Sequence, residues 1–170
     1  MGVCRVKVLL SAPLPRVWDF IIDPRNLHRW GPATEPVTDI DRPLQVGDRL
    51  TFKRTDFFRR YSQMLLVEEV VPYRSFRLRD LSPDGSKRDA TATVGVEEAA
   101  DPGTTWIEEA VAYSLGDGRV VRRLVNPVFN AVGGVVFRRK SKRVLRRLAD
   151  VLVQEHAGGE SADGPKESGA

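Results

Sequence analysis

Hydrophobic and polar positions alternate in several short segments over roughly the first 115 residues, a period of two that is typical of half-buried β-strands. Turn-forming residues separate the segments, most clearly Val-Gly-Asp at 46–48, Ser-Pro-Asp-Gly at 82–85 and Ala-Asp-Pro-Gly at 100–103. We therefore predict an antiparallel sheet of about seven strands. They cover residues 3–10, 37–40, a strand that begins at 50–52, then 61–71, 75–81, 90–96 and 104–115.

Two short helices are predicted between the first and second strands. Five apolar residues recur at helical spacing behind Pro13, with Ser11 or Ala12 as the N-cap and Pro13 at the first helical position. This helix should end at Asp23-Pro24. Residues 26–30 add one more helical turn, which Gly31-Pro32 closes. The apolar residues of the first helix are Val17, Trp18, Phe20, Ile21 and Ile22.

The hydrophobic period changes to that of a helix after residues 116–118 and continues to about Gln154. Asn126-Pro127 interrupts the stripe, so the helix either kinks there, which we favour, or begins there with Asn126 as its cap. Residues 156–170 are mostly small or charged and are predicted to be a disordered tail behind one domain at 1–155. The stripe consists of Val121, Leu124, Val125, Val128, Val132, Val135, Val136, Val144, Leu145, Leu148, Val151 and Leu152.

The opening of the chain carries a recognisable pattern of residues. Val6-Lys7-Val8 is followed by the stretch from Ala12 to Pro24, which includes Val17-Trp18 and Asp23-Pro24, and then by Trp30 and Pro32. This opening resembles that of the START/Bet v 1-like (SRPBCC) superfamily, nearest to its polyketide cyclase/dehydrase and lipid-transport branch. The resemblance implies an α+β helix-grip fold, in which a curved antiparallel sheet wraps around a long C-terminal α-helix, with two short helices after the first strand. It also implies a deep cavity under that helix and no obligatory cofactor.

The composition limits the chemistry of the chain. Cys4 is the only cysteine, and only His28 and His156 accompany it, so we expect no internal disulfide and no metal site of the usual Cys/His kind. The longest apolar run, at about residues 131–137, is far shorter than the roughly 20 residues of a membrane span. With no signal-like stretch at the N-terminus, we expect a cytoplasmic protein without a membrane span.

The formal net charge is +4, and basic residues cluster near the C-terminus. No acidic residue lies between Asp117 and Asp150. An anionic partner such as nucleic acid or a lipid headgroup is one interpretation. We favour the other, a solvated outer face of the helix without a specific nucleic-acid site. The cluster comprises Arg119, Arg122, Arg123, Arg138, Arg139, Lys140, Lys142, Arg143, Arg146 and Arg147.

Large aromatic residues opposite a helix with small residues suit an apolar ligand pocket with a few polar groups. Gly133-Gly134 is unusual within a helix, because glycine costs about 1 kcal/mol relative to alanine there. It provides either close packing on the sheet or room for a ligand. The candidate ligand-binding residues are Trp30, Phe52, Tyr61, Met64, Phe76, Trp106, Tyr113, Phe129, Val132, Gly133, Val136 and Phe137.

Glu108 and Glu109 are adjacent in the last predicted strand, so one of them must face the interior. The inward carboxylate is Glu108 if Trp106 and Ala110 line the interior, and Glu109 if residues 107, 111 and 113 do. A carboxyl group in an apolar cavity has a raised pKa and can act as an acid or a base. Glu108, Glu109 and Tyr113 are therefore the candidate catalytic residues, unless the inward carboxylate pairs with an arginine or lies near the open end.

The sequence supports several functions, and we favour non-catalytic binding. Histidine is scarce and no Ser/His/Asp or Cys/His set can be assembled, which favours non-catalytic binding. The resemblance to the superfamily implies that the ligand is a polyketide-like natural product or lipid, held by a carrier or sequestering protein. The alternatives are a polyketide aromatase/cyclase and self-resistance by sequestration of an enediyne-type antibiotic. We expect a monomer or weak homodimer.

Overall fold

The described chain contains six strands, three α-helices and one short 3-10 helix. The computed structural model describes residues 2–37, 39–56, 59–81, 87–113 and 126–160. The elements are β1 (Gly2–Leu10), α1 (Leu14–Ile22), the 3-10 helix (Pro24–Asn26), α2 (Leu27–Trp30), β2 (Arg49–Asp56), β3 (Arg59–Val71), β4 (Ser75–Leu81), β5 (Lys87–Glu98), β6 (Thr105–Tyr113) and α3 (Asn126–Glu160).

All neighbouring strands are antiparallel, in the order β1-β6-β5-β4-β3-β2, and α3 packs against the curved sheet. The predicted helix-grip fold is confirmed. The strand expected at 37–40 is absent from residues 37, 39 and 40, which belong to the connection between α2 and β2. Val37 is only 3% exposed, so its side chain enters the core without pairing into a sheet.

The strand register determines which side chains face α3. Val111 lies between Cys4 of β1 and Ala92 of β5, and Glu109 lies between Val6 and Val94 in the same way. Because side chains alternate between faces, residues 106, 108 and 110 of β6 lie on the opposite, outer face.

Helices α1 and α3 each bury an apolar face. Helix α1 begins at Leu14 with Pro13 as its N-cap, one residue later than expected, and buries residues 17, 18 and 20–22. Helix α3 buries Leu145, Leu148 and Leu152. The Arg16 guanidinium Nη2 donates to the Leu152 carbonyl at 3.3 Å and so joins the two helices.

The C-terminal helix runs from Asn126 to Glu160, five residues beyond the expected domain boundary at 155. His156 and Ala157 continue it because neither breaks a helix, and the helix also includes Gly158 and Gly159, although glycine weakens a helix. Residues 114–125 and 161–170 lie outside the described residues. They include most of the predicted tail and the helical segment expected ahead of the predicted kink at Asn126-Pro127. Within the described ranges, no helix combines the length and apolarity that crossing a membrane requires.

Candidate functional site

A cavity of about 320 Å³ lies between the inner face of the sheet, helices α1 and α2, and helix α3. This volume is at the lower end of the range for small-molecule pockets. Most of the lining is apolar. The apolar residues are Ile21, Pro24, Leu27, Trp30, Pro32, Leu44, Leu50, Leu65, Phe76, Leu78, Ala90, Ala92, Val94, Val111 and Val144.

A smaller group of polar side chains also lines the cavity, and strands and helix both contribute to it. The Arg54 guanidinium Nη1 donates to the Gln63 side-chain oxygen at 2.8 Å. Ser141 of α3 is 5% exposed and hydrogen bonds to the Glu109 carboxyl group. The other polar lining residues are Asp80, Thr91 and Lys140.

Glu109 is one of the two carboxyl groups that line the cavity, the other being that of Asp80. Burial raises the pKa of Glu109 above the ordinary value, while the hydrogen bond from Ser141 and the positive charges of Arg54 and Lys140 oppose that rise. Its Oε2 atom is buried and has no hydrogen-bond partner among the described residues. The arrangement can hold a proton inside an apolar space, or bind a polar group of a ligand.

Trp30 supplies a second buried polar atom to the same cavity. The side chain is 4% exposed, and its indole Nε1 has no hydrogen-bond partner within the described part of the chain. An indole N–H can only donate a hydrogen bond. Two residues that line the cavity, Trp30 of α2 and Glu109 of β6, therefore each carry a buried polar atom without a partner among the described residues.

The candidate ligand-binding residues from the sequence are divided between the two faces of the sheet. Trp30 and Phe76 line the cavity, and Phe52 is buried on the same face between Leu50 and Arg54. Met64 lies between Gln63 and Leu65, both of which line the cavity, so strand alternation directs it to the other face.

Trp106 and Glu108, two candidates expected near the interior, lie on the outer face instead. The Lys7 ammonium is 5.0 Å from the centre of the Trp106 ring, and Arg5 pairs with Glu108 at 3.6 Å. The reason is that side chains alternate along β6, and residues 107, 109 and 111 are the ones that point inward. Of the two adjacent glutamates, Glu109 and not Glu108 lines the cavity.

The side chains of the remaining candidates lie outside the described residues. The backbone of Tyr113 ends β6 opposite Gly2 and Ala90. The backbone at 126–137 belongs to α3. These candidates are Tyr61, Tyr113, Phe129, Val132, Gly133, Val136 and Phe137.

The sequence reasoning placed Lys140 on the outer face of the helix and missed five other polar lining residues, Arg54, Gln63, Asp80, Thr91 and Ser141. Signals for two of them existed. Arg54 continues the alternation of Leu50 and Phe52, which places it on the inner face. Ser141 lies four residues before Leu145 and therefore shares the buried side of α3. Gln63, Asp80 and Lys140 became recognisable only when the elements came together in space.

We predict that Glu109 makes the stability of the fold decrease as the pH rises. Because the folded-state pKa is raised, the folded state binds more protons than the unfolded state between the ordinary value of 4.5 and the raised value. Below that interval Glu109 does not destabilise the fold, and above it the destabilisation by its buried charge is complete. Urea unfolding at several pH values should show Glu109→Gln gaining stability relative to the wild type as the pH rises. Glu108→Gln is the matched control and should follow the wild type, and a pH-independent difference for Glu109→Gln would contradict the prediction.

The outer side of α3 carries a basic face that consists of Arg138, Arg139, Lys142, Arg143, Arg146 and Arg147, all exposed. Lys140 departs from the expected outer face because it lines the cavity. The buried stripe of leucines turns the basic face toward solvent, where its long side chains stay hydrated.

We predict that this basic face binds duplex DNA only weakly, and that the binding disappears near physiological salt. Phosphate contacts lose about 0.9 log units of affinity per log unit of salt for each phosphate that is neutralised. Fluorescence anisotropy with a labelled duplex measures the affinity for DNA at each concentration of a salt series. Sub-micromolar binding at physiological salt that Arg143→Glu combined with Arg146→Glu abolishes would overturn the prediction.

Within the described ranges, no group of three or more His, Cys, Asp or Glu side chains is placed to hold a metal ion. Cys4 is buried, and this burial raises the pKa of its thiol against the opposing effect of Arg138. The thiolate that a nucleophile or a metal ligand requires is therefore disfavoured.

Comparison with known proteins gives one family and one common fold. The sequence model of the family described as activator of Hsp90 ATPase homolog 1-like protein matches residues 11–130. The sequence matches no curated protein. Among solved structures, protein Ms6760 of Mycobacterium smegmatis is 21% identical with a TM-score of 0.61, and the match covers 91% of this chain and 92% of that one.

Two further solved structures share the fold at lower identity. The Aha1 dimer of Colwellia psychrerythraea is 13% identical with a TM-score of 0.59, over 89% of this chain and 96% of that one. DynU16, from the dynemicin biosynthetic locus, is 18% identical with a TM-score of 0.57, over 89% of this chain but only 47% of its own length. At these identities the likeness concerns the fold alone.

Proposed function

The chain belongs to the activator of Hsp90 ATPase homolog 1-like family of the START/Bet v 1-like superfamily, and we propose that it binds a hydrophobic small molecule in its cavity. The ligand is a polyketide-like natural product or a lipid, and the protein acts as a cytoplasmic carrier or sequestering protein. The observation that carries this proposal is an apolar cavity of about 320 Å³ whose lining residues include Trp30 and Glu109, each with a buried polar atom that has no partner in the described part of the chain.

The shape and chemistry of the cavity support binding. Ligand pockets combine a mainly apolar lining with a few polar groups that orient the ligand. Here the apolar surface comes from α1, α2 and the inner face of the sheet, while Glu109, Arg54 and Ser141 supply polar groups. Buried polar atoms are normally hydrogen bonded to protein or to ordered water, so the unpaired atoms of Trp30 and Glu109 leave hydrogen-bonding capacity that a bound molecule can fill.

Native mass spectrometry of the full chain, purified from its own host, tests the proposal. We expect a species heavier than the chain by the mass of one small molecule, and loss of that mass under gentle activation. Extraction and re-addition of the molecule should restore the heavier species and raise the thermal midpoint. If neither a co-purified molecule nor any apolar probe binds, the proposal is wrong.

A second candidate function is a polyketide aromatase/cyclase, and the position of Glu109 favours it. A buried carboxyl group whose pKa is raised keeps its proton to a higher pH than an exposed one and can exchange it with a bound substrate. In this scheme the carboxylate of Glu109 removes a proton from an activated carbon of the bound poly-β-ketone. The resulting enolate carbon forms a carbon–carbon bond to a ketone carbonyl, whose π bond breaks, and the carboxylic acid returns the proton to the alkoxide oxygen. Glu108 cannot share this role, because it lies on the outer face with Arg5.

A turnover assay with a poly-β-ketone thioester separates the two candidates. Catalysis predicts cyclised product, and a rate that falls at least about 100-fold in Glu109→Gln while substrate binding persists. Glu108→Gln serves as the control and should keep the rate. Binding without turnover supports the carrier.

Self-resistance by sequestration of an enediyne-type antibiotic is a special form of the proposed binding. The shared fold of DynU16, from the dynemicin biosynthetic locus, is the observation that favours it. Exposure of the protein to an activated enediyne should then cleave its own chain next to the cavity. An intact chain in the presence of a bound, activated antibiotic would exclude this form.

A further inference from the structure

We propose that the cavity selects an apolar molecule that presents an acceptor oxygen to the indole N–H of Trp30. The proposal rests on the function proposed above and specifies the chemistry of the ligand. It concerns one named hydrogen bond, so it can fail while apolar binding itself remains true.

The indole of Trp30 is the most selective polar group in the cavity. The ring lies among apolar lining residues that include Leu27 and Pro32, and Nε1 is buried without a partner in the described chain. A buried donor without a partner destabilises the structure, and an indole N–H has no acceptor capacity with which to adapt. A ligand oxygen is the simplest complement to it.

A cationic amine does not suit the indole of Trp30. Two basic residues, Arg54 and Lys140, and two acidic residues, Asp80 and Glu109, line the cavity, so its charges alone do not select against an ammonium group. A protonated amine, however, has no lone pair to offer the indole N–H. A neutral ketone, ester, ether or hydroxyl oxygen accepts a hydrogen bond without adding charge to the apolar space.

Four isosteric probes distinguish these possibilities: 2-acetylnaphthalene, 2-isopropylnaphthalene, 1-(2-naphthyl)ethanol and 1-(2-naphthyl)ethylamine. They share one ring system and one branched substituent and differ mainly in the polar atom. The full chain labelled with nitrogen-15 gives one indole signal for each of Trp18, Trp30 and Trp106. Single Trp→Phe variants assign the three signals.

We expect 2-acetylnaphthalene to move the Trp30 indole proton downfield, as a new hydrogen bond does, while 2-isopropylnaphthalene does not. The alcohol should act like the ketone, and the amine should bind most weakly. Trp18 and Trp106 do not line the cavity, so their indole protons should change little with any probe.

Affinities in Trp30→Phe give a second, independent measurement. The affinity of the ketone relative to the hydrocarbon should fall by about tenfold, because one hydrogen bond is lost while the apolar contacts remain. Trp106→Phe is the matched control and should leave that ratio unchanged. If Trp30→Phe does not fold, the indole signal of the wild-type protein still shows whether the hydrogen bond forms.

The outcomes separate this inference from the proposed function. If the ketone and the hydrocarbon bind equally well and leave the Trp30 indole proton equally unchanged, the hydrogen bond is refuted and apolar binding stands. Tightest binding of the amine also refutes it. If none of the four probes binds, the proposed function fails and this inference fails with it.

Discussion

Ala92→Phe is expected to lower the affinity for 2-acetylnaphthalene by about 100-fold or more, equivalent to at least about 2.7 kcal/mol of binding free energy. Ala92 lies at the centre of the inner face, between Leu78 of β4 and Val111 of β6, and all three line the cavity. A phenyl ring at this position occupies the space that the ligand needs. Because the ring enters an existing cavity rather than a packed core, stability should change by less than about 1.5 kcal/mol.

The matched control is Ala110→Phe, one strand away on the outer face. It introduces the same ring on the same sheet, outside the cavity, and should leave the affinity within about twofold of the wild type. Fluorescence titration measures both affinities, and urea unfolding confirms that both variants fold. Equal affinities for the two variants would mean that the ligand does not occupy this cavity.

Leu148→Ala is expected to destabilise the fold by about 3 kcal/mol, the usual range for a leucine truncated in a packed core being about 2–5 kcal/mol. Leu145 and Leu148 are both 0% exposed, and with Leu152 they form the stripe by which α3 packs in the core. Loss of this packing should also weaken ligand binding, because Lys140, Ser141 and Val144 of the same helix line the cavity.

Val153→Ala tests whether the effect depends on burial. Val153 belongs to the same helix but is 55% exposed, so its truncation should change stability by less than about 0.5 kcal/mol. Urea unfolding followed by circular dichroism compares the variants. Equal losses for Leu148→Ala and Val153→Ala would show that the leucine stripe does not pack against the sheet.

Local patterns were sufficient for the elements and for the fold class. The spacing from Val17 to Ile22 predicts α1 because an α-helix brings residues three and four apart to one face. Period-two segments predict β4, β5 and β6, since a half-buried strand alternates in the same way. The segment at 37–40 shows the limit of this reasoning, because a buried valine in a loop produces the same short pattern.

The sequence by itself determined that exactly one of two adjacent glutamates in β6 faces inward, and only the tertiary structure decided that it is Glu109. Alternation along a strand points neighbouring side chains to opposite faces of the sheet, but it does not determine which of the two faces the helix covers. That choice depends on pairing with β1 and β5, which places Glu109 between Val6 and Val94. The approach of Lys140 and Ser141 to the same cavity is likewise a contact between distant elements, because residues in β6 and α3 meet only through the packing of the whole domain.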